Sequence, residues 1–317
     1  FTLLTKLGFR VVLSPPSSKK IFEKGLETIP SESACYPAKL CHGHILSLIE
    51  KGVDTIFYPS VVYEKKEYQK VNNHYNCPIV ISYPEVVRNN IDEIKKKKIK
   101  FISPFVSLDN EKVLIKRIAD EFKEFGVTLE EAKEAVYEAV KERDNYKNDI
   151  RKKGEETLEY IKKHNKKGII LCGKPYHVDP EINHGIAKLI SSYGLAVLTE
   201  DSISHLTDID FELRVVDQWT YNSRLYRAAL LASKEANLEL VQLNSFGCGI
   251  DAITSDQIEE ILAGSGKMYT MLKIDEGSNL GAAKIRIRSL LAAVEEKEKN
   301  NIFPVVKEIS YQRPLFT

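Results

Sequence analysis

A chain of 317 residues has room for two or three compact domains. It is 43% hydrophobic and 29% charged, with a net charge of +1, a balance that gives no electrostatic case for a nucleic-acid or membrane-surface partner. No run approaches the ~18 apolar residues of a membrane span and no export signal is read at the start, so the expected setting is the cytoplasm.

The opening "FTLLTKLGFRVVLS" reads as the middle of a helix leading into a strand at 10–14, and the closing "SYQRPLFT" stops without a helix end. Both suit a segment of a longer polypeptide. A helix is expected near 17–25, then "AKLCHGHILSLIEKG" as a helix and "DTIFYPS" (54–60) as a strand. "PIVISY" (78–83) reads as a strand leading into the helix "PEVVRNNI", and "KKKKIK" (95–100), which also suggests a phosphate patch, reads rather as a lysine-rich loop before the strand "FISPF". From 109 to 166 the chain is charged, nearly free of proline and helical in period, with Thr128 and Glu131 in capping-box spacing. A second set of strands follows in "KGIILCG" (167–173), "LAVLTED" (195–201), "LELVQLNS" (238–245) and "MYTMLKID" (268–275), with helices between. Such βα alternation predicts an α/β protein: two doubly wound parallel-sheet domains of Rossmann or flavodoxin-like type, joined by a long helical segment. The expected boundaries are 1–108, the connector 109–166, 167–300, and an extension at 301–317 towards a further module.

Five cysteines, an odd number without C-x-x-C pairs, argue against a disulfide framework and for a reducing compartment. Ligands of doubly wound folds gather in loops beyond the C-terminal ends of the strands, and three cysteines are expected there. Cys35 should stand at or just before a helix cap, with Pro37 in the first turn. Cys77 precedes Pro78, which extends its backbone ahead of the predicted strand. Cys248 lies between Gly247 and Gly249 in "NSFGCGIDA", after a strand and before a helix. Cys41 and Cys172 read as small buried apolar residues. Three thiolates from distant loops suit a [4Fe–4S] cluster better than a structural zinc; unrelated buried cysteines fit the same spacing. Gly247, Gly249 and Ala252, with Asp275 about twenty residues on, also approach a dinucleotide-binding fingerprint. No G-x-x-x-x-G-K-[ST] loop occurs. The residues alone leave these accounts open.

The ordered motifs "SESACYPAKLCHGH", "VNNHYNCPIVISYPEV", "GKPYHVDPEINHGI", "LNSFGCGIDAI" and "IDEGSNLGAAKIRIRSLLAA" cover nearly the whole chain. Together they resemble the 2-hydroxyacyl-CoA dehydratase-like iron–sulfur superfamily, in the branch of large CoA-substrate-specific enzyme activase-related proteins. There, ATPase domains of the sugar kinase/Hsp70/actin type precede dehydratase-like modules. The resemblance implies an oxygen-sensitive [4Fe–4S] cluster held at a domain interface by Cys35, Cys77 and Cys248. It implies an ATPase activase partner in cis or in trans, with ATP entering only through that partner, and a second dehydratase-like module beside this one. It also implies reductase or dehydratase-type chemistry on a small molecule or an acyl-CoA.

By motif, Lys174, His177 and Asp179 are the catalytic candidates, His177 as a donor to a substrate oxygen or a cluster sulfide. Lys39 and His42 would balance cluster charge, and Gly247 and Gly249 would make room for the cluster. Asp275, Glu276 and Asn279 fall near the expected cleft without an assigned role, and at most one of Arg286 and Arg288 would face it. Two alternatives stand beside this reading: an electron-relay or ATPase-docking module without catalysis of its own, and an NAD(P)-binding protein using Gly247–Ala252.

Overall fold

Prolines set the limits of the two small N-terminal sheets. The computed structural model describes residues 1–277 and 280–300, divided into an N-terminal unit of residues 1–69 and 73–148 and a C-terminal unit of 70–72 and 149 onward. Asn279 and the expected 301–317 extension lie outside the described residues. After α1 (Thr2–Lys6) the stretch 10–14 forms no strand. It runs into Pro15 and Pro16, which lack the N–H groups a ladder needs, and Leu13 is left exposed. α2 (Lys19–Gly25) is capped by the Ser18 hydroxyl, which accepts from Ile21 N at 3.3 Å. It lies against α3 (Tyr36–Glu50) so closely that a Cβ on Gly43 would collide with the Ile21 carbonyl.

β1 (Thr55–Phe57) pairs in parallel with β3 (Lys100–Ile102), and β2 (Ser60–Tyr63) with β4 (Phe105–Ser107). Pro59 and Pro104 interrupt both tracks at matching points. Tyr58 N–H bonds to Ile102 O and Ser60 N–H to Pro104 O, each at 2.9 Å, and carry the pairing past the break. The expected strand at 78–83 is instead the first half of α4 (Pro78–Asn90). Pro78 occupies the first helical position, where its fixed φ favours a helix start, and Tyr83, Pro84 and Val87 are buried at helical spacing. This unit is therefore α/β with two two-stranded parallel sheets, β1-β3 and β2-β4, in place of the doubly wound sheet expected, and its described residues contain neither predicted strand that would have widened them. α5 (Asp92–Lys96) joins α4 to β3. Leu114, Ile115 and Ile118 of α6 (Glu111–Glu121) and Ala132 and Val136 at the start of α7 (Leu129–Lys163) pack with Ile102, Val106 and Phe122. The capping box at the head of α7 forms as read, Thr128 N–H bonding Glu131 Oε2 at 2.8 Å and Glu131 N–H bonding Thr128 Oγ1 at 3.3 Å.

In the C-terminal unit β5 (Gly168–Cys172) is buried along its whole length, as an apolar strand between two neighbours should be. α8 (Ile186–Ser192) leads to β6 (Ala196–Thr199); α9 (Glu200–Ile203) and α10 (Thr220–Lys234) return the chain to β7 (Leu238–Ser245). α11 (Gly249–Ala263), β8 (Thr270–Ile274) and α12 (Leu280–Lys299) complete the unit. All pairings are parallel, in the order β6-β5-β7-β8. Ala228, Ala229 and Ala232 on α10 are fully buried and join Ile170, Leu240 and Ile258 in the core. The winding direction reverses between β5 and β7, and at such a reversal the loops leaving the two strands diverge and open a crevice.

Replacing Gly43 with Ala is expected to destabilise the chain by about 1–3 kcal/mol in urea unfolding, although helix propensity alone favours Ala by ~1 kcal/mol. Gly249→Ala, where a Cβ meets nothing within 4 Å, should stay within about 0.5 kcal/mol of the parent. Equal midpoints for the two variants would contradict the helix contact.

Candidate functional site

Cys35 and Cys77 occupy the same local position in the N-terminal unit. Each is a helix N-cap with extended backbone, φ −63° and ψ 151° for Cys35 on α3, φ −61° and ψ 139° for Cys77 on α4. A proline follows in each first turn, removing an amide that would compete for a partner. Both thiols are half-buried. Burial pushes Cys35 up to about 11; the Ala38 amide pulls it down, and the nearby thiols of Cys77 and Cys41 raise it further. Cys77 is held from behind by buried Asn76, whose Oδ1 accepts the Cys77 N–H and whose Nδ2 donates to Glu64 Oε1, both at 3.0 Å.

Cys41 and His42, in the same unit, have local partners. Cys41 bonds the Pro37 carbonyl at 3.4 Å and takes the Tyr58 hydroxyl at 3.3 Å. His42 has no exposed surface and is bonded at both ring nitrogens, to Thr28 Oγ1 at 2.8 Å and Tyr83 Oη at 3.2 Å. Burial lowers its pKa to about 4, so the ring is neutral near pH 7 and serves the core. Lys39 is buried in the first turn of α3.

Cys248 is the N-cap of α11, with φ −71° and ψ 102°. Gly247 before it takes a left-handed φ of +70°, a conformation costly for any residue with a Cβ. Burial, then the Asp251 charge, pushes Cys248 up to about 11, against the pull of the Asp251 amide and the Lys174 charge. Lys174 and Asp251 form an ion pair with almost no water access, 5% and 1% exposed. Asn222 Nδ2 reaches Asp251 Oδ1 at 3.5 Å and Thr254 Oγ1 at 2.7 Å. Asp251 Oδ2 has no partner.

His177 sits in the turn after β5. Its Nδ1 accepts the Lys174 N–H at 2.8 Å, which places the ring hydrogen on Nε2, and that atom is buried without a partner. Burial first, then Lys174, lowers its pKa to about 3. A Cβ on Gly173 would collide with the imidazole, so this glycine lets the ring fold back on the turn. Asp179 binds the Glu181 N–H at 2.9 Å and the Ile182 N–H at 3.3 Å, bracing the turn that carries His177. Cys172, at the end of β5, is wholly buried.

A cavity of about 660 Å³ opens on this unit, with Phe246, Tyr269, Met271, Lys273, Asp275 and Arg286 among its walls. Its size suits a small-molecule ligand. Arg288 is exposed and does not line it. Among the described residues no three His, Cys, Asp or Glu side chains form a group that could hold a metal ion.

Residues 1–203 match the family described as CoA enzyme activase uncharacterised domain (DUF2229). The chain belongs to this family. No curated protein matches it. The DUF2229 match includes Cys35, Cys77, Lys174 and His177 and ends before Cys248 and Asp251. Membership fits a place in an acyl-CoA-related system. No helix among the described residues is long and apolar enough to cross a membrane.

Three partners in the site of this DUF2229 chain escaped sequence reasoning. Asp251 carried a faint signal, an acid three residues after Cys248 in the first turn of a helix. Asn222 carried none. Glu200, the first residue of α9 after β6, accepts the Gly173 N–H at 3.2 Å and is buried. Burial, then Asp201, raises its pKa from 4.5 to about 7. Between those values the folded chain keeps a proton that the unfolded chain releases, so stability falls as pH rises through that window. Glu200→Gln is expected to melt a few degrees above the parent at pH 8, with the gap closing towards pH 5. A gap that widens on acidification would contradict the assignment.

Proposed function

We propose that this chain is the [4Fe–4S] cluster-binding module of an ATP-dependent, low-potential reductase or dehydratase-type system acting on a small molecule or an acyl-CoA. The observation that carries the reading is a shared local geometry. Cys35, Cys77 and Cys248, the three proposed ligands, each cap a long helix in extended conformation with a half-buried thiol, whereas Cys41 lies inside α3 and Cys172 inside β5. A helix N-terminus carries partial positive charge, which favours a thiolate and an anionic group bound to it. At the third position this is augmented by Gly247, which only a glycine fits easily, and by Gly249, whose Cβ direction is open.

Without metal, burial holds Cys35 and Cys248 protonated near neutral pH. Taking up iron displaces those protons, so loading is favoured at higher pH. A cluster on three thiolates would supply one-electron transfer and leave one iron without a cysteine ligand. His177 offers a neutral, oriented Nε2–H to a substrate oxygen. Lys174 anchors that turn through Asp251, and Asp179 braces it from the other side. An ATPase activase domain, in cis or in trans, is the proposed source of electrons and of the ATP dependence, with a second dehydratase-like module as a further partner. Five free cysteines suit the reducing cytoplasm.

Anaerobic reconstitution, followed by iron and acid-labile sulfide analysis, tests this directly. About four irons per chain are expected, lost in Cys35→Ser, Cys77→Ser and Cys248→Ser and retained in Cys41→Ser and Cys172→Ser. No specific iron, or losses that ignore those three positions, would overturn the reading.

A further inference from the structure

The lysine-rich stretch 95–100 folds into something more specific than a loop. α5 ends in a Schellman closure: Ile99 N–H bonds the Ile94 carbonyl at 2.9 Å and Lys98 N–H bonds the Lys95 carbonyl at 3.1 Å. The residue at the turn of this motif must be left-handed, and Lys98 is, with φ +53°. Elsewhere the chain closes α3 and α7 by the same pair of bonds, with Gly52 and Asn165 at the turn. Those are the residue types the conformation favours. At α5 a lysine stands there instead, with no short polar group to ease the backbone.

This turn borders a cavity of about 370 Å³ lined by Arg88 and Asn89 from the last turn of α4, by Lys95 and Lys98, and by a floor of Ile94, Ile99 and Phe101. Three cations and no carboxylate line it. Of these, Arg88 also pairs with Glu85 at 3.4 Å, and the neighbouring Lys96 pairs with Asp92 at 3.5 Å and Lys100 with Glu124. Lys95 and Lys98 have no acidic partner among the described residues. Basic residues in a last helical turn often only complement the helix dipole. Lys95 and Lys96 already meet that need at α5, a helix of five residues, and a lysine at the left-handed position adds nothing to it.

We propose that this cavity binds a small phosphate-bearing anion with a flat apolar body, of which a nucleoside diphosphate is the simplest soluble example. Arg88, Lys95 and Lys98 would hold the phosphate oxygens, Arg88 through its fork of donors, while the body lies on Ile94, Ile99 and Phe101. The site stands about three helical turns along α4 from Cys77 and is independent of the cysteine reading.

Calorimetric titration of the full chain with ADP, inorganic phosphate and adenosine tests it, with Lys98→Gly as the decisive variant. That change removes the cation and relieves the backbone, so the melting temperature should hold or rise while ADP binding weakens about tenfold or more. Lys95→Gln should also weaken ADP, Cys77→Ser should not, and added salt should. Phosphate and adenosine separately should each bind more weakly than ADP. No saturable ADP binding, or ADP binding unchanged in Lys98→Gly, would overturn the site. Adenosine binding as well as ADP would remove the role of the cations, and phosphate binding as well as ADP the role of the floor.

Discussion

Lys174 and Asp251 meet where neither has water to fall back on, and the C-terminal unit is arranged around that fact. The lysine lies just beyond β5 and the aspartate in the first turn of α11, so the pair ties together the two loops that part at the reversal of winding. Two charges withdrawn from solvent are tolerable only while paired, and losing one partner typically costs about 3–5 kcal/mol. The rest of the neighbourhood follows. Asn222 supports the carboxylate, the Lys174 amide fixes the His177 tautomer, and Gly173 leaves space for the imidazole. Cys248 enters helix α11 three residues before the same aspartate, so its thiol feels both charges.

The N-terminal unit reaches a related end by other means. Its devices are prolines: Pro37 and Pro78 start the helices that Cys35 and Cys77 cap, while Pro59 and Pro104 break each parallel track into two short strands. Beneath them His42 is spent on the core, bonded to Thr28 and Tyr83. A histidine near a cysteine in sequence is thus a poor guide to function, because burial at zero exposure makes it neutral and both nitrogens are already engaged.

How far the site was legible follows from the range of the interactions involved. Cys35 as a helix cap is readable because capping is local and Pro37 follows it, whereas Cys248 reads only as a glycine-flanked turn between a strand and a helix, and the structure makes it the cap of α11. After Cys77 the segment "PIVISY" is rich in β-formers and reads as a strand, but the start signal of Pro78 outweighs them because Tyr83 and Val87 have a core to face, and it forms the first half of α4. The turn at Lys98 lay in plain view as a lysine run, yet its handedness depends on α5 ending there and on Ile99 folding back over Ile94.

By itself the sequence determined the alternation of parallel strands and helices, the capping box at Thr128 and Glu131, the apolar β5, and the position of Cys35 at a helix cap. Each depends on residues within about a helical turn or on a periodicity along one element. Only the tertiary structure decided that Asp251 is the partner of Lys174, 77 residues away, that Glu200 binds the Gly173 amide, that His42 belongs to the core, and that Arg88, Lys95 and Lys98 share one cavity. Those outcomes depend on burial and on which elements become neighbours, and the free energy of a charge or a ring nitrogen is set by what surrounds it once the chain has closed.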